Sequence, residues 1–194
     1  LSAQVGQSVL VDNKPGGNTA IAASEVGRAA PDGYTIMSAD NGTMVFNSAL
    51  YAKLSYNPEK DLAPVVLMGK FPMILVVGQS SPYKDAREFI AAAKAKPGSF
   101  SYGSAGAGSP HHLAMEMLQV TAGLDMTHVP YRGAAPALTD LAGGQVVGMM
   151  DDMAAGASFL KGGKVRPLAV ANPTRLPQYP DVPTFAELGY KGFE

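Results

Sequence analysis

Short, β-branched apolar runs alternate along the chain with longer segments in which apolar residues recur every third or fourth position. The runs predict strands and the longer segments predict helices. The first run is residues 8–12, Ser-Val-Leu-Val-Asp. A turn at 13–18 and an alanine-rich segment at 19–30 follow; the segment predicts a helix with Ile21, Val26 and Ala29 inward. Pro31-Asp32-Gly33 ends it, and 34–39 is the next strand, which makes one βαβ unit of a parallel sheet. Residues 44–51 predict a short helix. The runs 63–68 and 73–77 are split only by Gly69-Lys70-Phe71-Pro72, which predicts one element passing between two lobes.

From residue 75 to 171 strand and helix patterns repeat. Residues 86–96 predict a helix with Phe89, Ile90 and Ala93 inward, closed by Pro97-Gly98. A short strand at 99–102 enters a loop containing Gly103, Ser104, Gly106, Gly108 and Ser109. Pro110 then opens a helix with Leu113, Met117 and Leu118 on one face, stopped by Gly123. Strands at 126–129, 145–150 and 165–171 enclose helices at 135–141 and 154–160. Residues 172–194 are rich in proline and read as loop with one short helix near 185–188. The expectation is an α/β protein with an incomplete first lobe at 1–74, a second lobe at 75–171, and a return to the first lobe at 172–194. Residues 1–6 read as the end of a helix, so the true beginning is expected to be missing.

Composition narrows the function. A net charge of −1 and a pI near 6.3 supply no basic field for nucleic acid. The absence of cysteine removes disulfides, thiolate metal sites and thiol nucleophiles. No apolar run approaches the ~20 residues of a membrane span, and no signal peptide is visible.

The loop at 103–109 has the character of an anion site. The first N–H groups of a helix lack partners within it, and the helix dipole adds partial positive charge there. Glycines let the backbone approach a ligand, and Ser104 and Ser109 bring hydroxyls. The glycine order is G-x-x-G-x-G, which does not match a dinucleotide fingerprint, and no P-loop motif occurs. No G-x-S-x-G elbow supports a serine hydrolase. His112, Glu116 and His128 make a poor metal set, and hydrogen-bonding histidines near a helix start are the favoured reading. No cofactor is expected. Arg132, after a strand in Pro-Tyr-Arg-Gly, either grips a carboxylate with two hydrogen bonds or is an exposed loop arginine. Asp151 either accepts from a ligand or caps the next helix, with the cap favoured.

The runs Val-Asp-Asn-Lys-Pro-Gly-Gly-Asn (11–18), Arg-Ala-Ala-Pro-Asp-Gly-Tyr-Thr (28–35), Leu-Tyr-Ala-Lys-Leu-Ser-Tyr-Asn-Pro (50–58) and Tyr-Gly-Ser-Ala-Gly-Ala-Gly-Ser-Pro-His-His-Leu (102–113) carry a family resemblance. So do His-Val-Pro-Tyr-Arg-Gly (128–133) and the stretches 136–146 and 176–189. Together they resemble the extracytoplasmic solute receptors of the tripartite tricarboxylate transporter type, the Bug or TctC-like receptors. The resemblance implies a two-lobed periplasmic binding protein fold of type II, here truncated at both ends. It implies a non-enzymatic, monomeric receptor of the Gram-negative periplasm. Such a receptor captures a small carboxylate by cleft closure, hinged near 73–77 and 166–170, and delivers it to membrane permease subunits. Carried onto this chain, the ligand contacts fall on Asn41, Gly42, Thr43 and Asn47 in the first lobe. In the second lobe they fall on Ser104, Gly106, Ser109, His111, Tyr131, Arg132, Gly133 and Asp151. The rival readings are a two-lobed α/β enzyme acting on an acidic metabolite and a ligand sensor for a signalling partner.

Overall fold

The computed structural model describes residues 1–193; Glu194, the last residue of the segment 172–194, lies outside them. The chain divides into two compact units, Leu1–Ala63 and Pro64–Glu194.

The first unit is helical among the described residues. It contains α1 (Ser2–Val5), a 3-10 turn at Gly17–Thr19, α2 (Ala20–Arg28), and a π-helical turn at Gly42–Phe46 that runs into α3 (Asn47–Leu50). Helix α2 is turned differently from the apolar pattern: Ala23 and Ser24 are buried, and Ile21 is outward. The strands predicted at 8–12, 34–39 and 63–68 do not form among the described residues. Leu10 is 91% exposed, and Val65, just inside the second unit, is 85% exposed. An apolar extended run becomes a strand only when a neighbour supplies N–H and C=O partners, because the ladder is made between chains and not within one.

The second unit follows the pattern closely. Its strands are β1 (Met73–Gly78), β2 (Phe100–Ser104), β3 (Met126–Pro130), β4 (Gly148–Asp152) and β5 (Val165–Ala171). Its helices are α4 (Ala86–Ala95), α5 (Pro110–Ala122), α6 (Ala134–Ala142) and α7 (Met153–Lys161). The sheet order is β3-β2-β4-β1-β5. Strand β2 is parallel to β3 and β4, whereas β1 runs antiparallel to β4 and β5.

Both faces of the sheet are apolar, so the central strands read as unbroken hydrophobic runs. Leu75 and Val77 join Phe89 and Ile90 of α4 and Met115 and Leu118 of α5 on one side. Ile74 and Val76 join Leu138 and Leu141 of α6 on the other. The inward face of α5 is His111, Met115, Leu118, Gln119 and Ala122; Leu113 is half-buried and Met117 exposed. Of the predicted face, Leu118 is inward as expected and Met117 is not, because the two are adjacent and only one can face the sheet. Gly123 (φ 65°) stops α5 in the left-handed conformation. The short helix predicted near 185–188 is a turn. It docks by Val170–Thr184 pairing, with Phe185 and Phe193 stacked in the core.

Candidate functional site

The parallel strands β2, β3 and β4 end at one edge of the sheet, and each is followed by a helix. The N-termini of α5, α6 and α7 therefore open at that edge. Each contributes about half a positive charge, so the edge is electropositive through its backbone alone. It is here that the structure brings Ser104, Gly106, Ser109, His111, Tyr131, Arg132, Gly133 and Asp151.

The loop from β2 to α5 is held from inside. Ser104 is fully buried, and its Oγ lies 2.6 Å from His128 Nε2 on β3. The same Oγ accepts from Gly106 N–H at 3.1 Å and donates toward the Gly106 carbonyl at 3.1 Å. Gly108 N–H donates to His112 Nδ1 at 3.0 Å, and Ser109 N–H to the Gly106 carbonyl at 3.1 Å. Ser109 is the N-cap of α5, accepting from His112 N–H. These partners change the expected picture. Several loop N–H groups serve the loop's own shape. The Ser109 hydroxyl hydrogen, not consumed by capping, remains a donor.

His112 and His128 stack with ring centroids 4.0 Å apart, and His128 stacks on Tyr102 at 5.0 Å. Burial, reinforced by the neighbouring His112, pushes His128 down to about 4, although Glu116 partly opposes this. His128 is thus a neutral hydrogen-bonding ring at neutral pH. The Tyr102 hydroxyl donates to Glu116, and burial with that bond keeps the phenol far above its usual value. The hydrogen-bonding role expected for histidines at this helix start holds for His112.

The loop after β3 is tied to the loop after β2. Tyr131 N–H donates to the Ser104 carbonyl at 3.0 Å, and Gly133 N–H to that of Ala105 at 3.2 Å. The Tyr131 hydroxyl donates to Asp140 at 2.8 Å; burial and that bond push it up to about 12. Arg132 is exposed and enters none of the ion pairs among the described residues. An exposed guanidinium at this edge adds a side-chain positive charge to the helix ends.

At the end of β4, Asp152 and not Asp151 caps α7: its Oδ1 accepts from Ala154 and Ala155 N–H at 2.9 and 2.8 Å. The adjacent imidazole of His111 holds the Asp152 carboxyl below the usual range. Asp151 is 1% exposed. His111 Nε2 lies 3.3 Å from Asp152 Oδ2 and 3.7 Å from Asp151 Oδ1. Both ring nitrogens of His111 and both oxygens of Asp151 are buried with no aligned hydrogen bond. Burial pushes Asp151 up to about 7, partly offset by His111 and reinforced by Asp152. Gly156 on α7 makes room for it: a Cβ there would sit 2.1 Å from Asp151 Oδ2.

The first unit holds the other four predicted residues. Thr43 and Asn47 are fully buried, Gly42 is buried and Asn41 exposed. Asn47 Oδ1 accepts from Asn18 Nδ2 at 2.6 Å, and its Nδ2 donates to the Asn18 carbonyl at 2.9 Å and to Tyr56 at 3.0 Å. The Tyr56 hydroxyl donates to the Thr43 carbonyl at 2.6 Å, and Thr19 bonds Thr43 through their hydroxyls. Asn18 (φ 46°) and Thr19 (φ 67°) are both left-handed, unusual for a β-branched threonine and held here by the network. The side chain of Asn47 is thus committed to holding the turn at Gly17–Thr19.

Sequence reasoning did not single out Asn18, Thr19, Tyr56 or Asp152, nor the stacking of His112 on His128. Only Asp152 carried a signal: an aspartate at a strand end directly before a helix is an N-cap pattern. The others meet across long separations in sequence.

The model of the tripartite tricarboxylate transporter family receptor matches residues 1–194. The chain belongs to this family. It is 38% identical over 195 residues to a UPF0065 protein from the tcbD-tcbE intergenic region of Pseudomonas sp. (strain P51), matching all of this chain and 58% of that protein. Among solved structures it is similar to R. palustris Rpa4515 with adipate (37% identity, TM-score 0.96, all of this chain and 64% of that one). It is also similar to MatC (Rpa3494) from Rhodopseudomonas palustris with bound malate (35% identity, TM-score 0.91, all of this chain and 66% of that one). The fold is that of periplasmic binding proteins, and the chain spans less than two thirds of the first of these relatives.

Proposed function

We propose that the whole protein is a periplasmic solute receptor that binds a small carboxylate and passes it to membrane permease subunits of a tripartite tricarboxylate-type transporter. The reading rests on one observation above the rest. The N-termini of α5 and α6 and the exposed Arg132 converge on the part of the edge that carries the predicted contacts Ser104, Ser109, Tyr131 and Gly133, while Asp151 and Asp152 offset the start of α7. That field suits an anion. Similarity to structures holding adipate and malate supports a carboxylate over a phosphate. The protein binds and releases without turnover. In the whole protein the division into a first lobe at 1–74 and 172–194 and a second at 75–171 lets closure about 73–77 and 166–170 retain the solute.

A thermal-shift screen of mono-, di- and tricarboxylates on the whole protein tests this reading. A solute at 100 times its Kd stabilises by roughly 2.7 kcal/mol. A screen in which nucleotides shift the midpoint and no carboxylate does would overturn it, as would turnover of the bound acid.

A further inference from the structure

Where the end of β4 meets the start of α5, two buried side chains are poorly satisfied, with only Asp152 beside them. Asp151 has both oxygens and His111 both ring nitrogens without an aligned hydrogen bond. Buried polar groups are nearly always paired, and a buried carboxylate without partners is among the costlier exceptions. Nearby donors are committed elsewhere. The Ala154 and Ala155 N–H groups go to Asp152 Oδ1, and the His112 N–H goes to Ser109. That leaves Asp152 Oδ2 facing His111.

We propose that His111, Asp151 and Asp152 form a site for one divalent transition-metal cation of the zinc type, bound through His111 Nε2, Asp151 Oδ1 and Asp152 Oδ2. The three residues each offer one ligand atom, and these lie within 4.8 Å of one another. The closest pairs are 3.3 and 3.7 Å apart. Metal bonds of about 2.0–2.2 Å to nitrogen and oxygen place neighbouring ligands roughly 3–4 Å apart. The Oδ2 of Asp152 already points at His111 while Oδ1 stays on the α7 cap, so three protein ligands are in reach and a fourth position is left to water. One imidazole and two carboxylates suit zinc, manganese or iron better than magnesium or calcium, which take oxygen ligands.

Charge permits the ion. The N-termini of α5 and α7 each present about half a positive charge at this place. Asp151 and Asp152 outweigh the α7 end beside them, and both helix starts are already capped, by Ser109 and by Asp152 Oδ1. Gly156 leaves the space that the second oxygen of Asp151 occupies. The site is distinct from His112, Glu116 and His128, whose ring nitrogens and carboxylate are engaged with Gly108, Ser104, Tyr102 and Gln119. It reassigns His111 and Asp151, expected as solute contacts, to a metal ion, and leaves Ser104, Ser109, Tyr131 and Gly133 to the solute.

The test is Zn²⁺ titration of the whole protein after chelator dialysis, with Co²⁺ as a spectroscopic reporter and circular dichroism as the check on folding. The expected result is one equivalent of Zn²⁺ bound. Co²⁺ should show visible bands of an imidazole-containing site, and affinity should fall more than about 10-fold in His111→Gln and in Asp152→Asn. Asparagine still caps a helix, so Asp152→Asn keeps α7 and decides the matter if His111→Gln does not fold. No saturable uptake by the parent protein at about 100 μM Zn²⁺, well above the Kd of a built site, overturns the proposal. Uptake unchanged in the folded variants overturns it as well, since the ion then sits elsewhere.

Discussion

Ser104 and His128 face each other across the parallel pair β2–β3, with Oγ and Nε2 2.6 Å apart. Through this contact the ring on one strand fixes the loop that leaves the other. Ser104→Ala removes it together with the acceptor for Gly106 N–H. The loss should cost about 1–3 kcal/mol, because it strands buried polar groups. Urea melts read the stability, and carboxylate titration should show weaker binding as the loop loses its shape. A stability equal to that of the parent would show that the loop holds itself.

Two titratable groups of the second unit, half-buried His128 and buried Asp151, push stability in opposite directions with pH. The folded pKa of His128 lies below its usual value, so the unfolded chain binds the extra proton first. Its contribution is full above about 6.5 and is lost as pH falls toward about 4. The folded pKa of Asp151 lies above its usual value, so the native state holds the proton longer. Stability from this group is present below about 4 and declines as pH rises toward about 7. In chelator-treated buffer the parent should therefore show a shallow profile between pH 4 and 7. Asp151→Asn should unmask a rising profile, worth on the order of 1–2 kcal/mol after solvent screening. His128→Gln should unmask a falling one. Thermal midpoints across that range decide; parallel profiles for all three proteins would refute the assignment.

Gly156→Ala tests the space above Asp151. A Cβ placed 2.1 Å from Asp151 Oδ2 forces α7 or the carboxylate to move. Overpacking of this kind costs about 1–3 kcal/mol. In an Asp151→Ala background the same change should be tolerated, giving a coupling of about 1 kcal/mol or more in the double-mutant cycle. Additive effects would mean that the clash lies elsewhere.

Tyr56→Phe probes the first unit. The hydroxyl donates to the Thr43 carbonyl and accepts from Asn47. Its removal should cost about 1–3 kcal/mol and loosen the left-handed turn at Asn18 and Thr19. Amide exchange at residues 17–20 should quicken, while exchange in β1 to β5 stays as before.

The apolar runs that lack ladder partners suggest a solution property of the 194-residue chain by itself. Val65, Val66, Leu67 and Met68 are all more than 70% exposed. The chain should bind a hydrophobic dye and self-associate. Lysines at positions 65 and 67 should reduce both without lowering the melting point of the second unit.

What could be read in advance followed from locality. β5 at Val165–Ala171 lies where its apolar run predicts, and Pro110 and Gly123 mark the ends of α5 through chemistry confined to a few residues. The strands at 8–12 and 34–39 failed for the opposite reason: extended propensity belongs to a segment, but a ladder belongs to a pair. The site shows the same division. Ser104 and Ser109 could be found from the loop that contains them. The meeting of His111 with Asp151 and Asp152 depends on strand order, and so does the stack of Tyr102, His128 and His112. No local pattern encodes that order.

The carboxylate of Asp152 is divided between two tasks. One oxygen holds the first turn of α7, and the other looks toward His111 on α5. The side chain cannot rotate to improve one contact without disturbing the other. The starts of two helices on opposite faces of the sheet are thereby geared together. Whatever draws the imidazole of His111 aside will be felt as a twist at the root of α7.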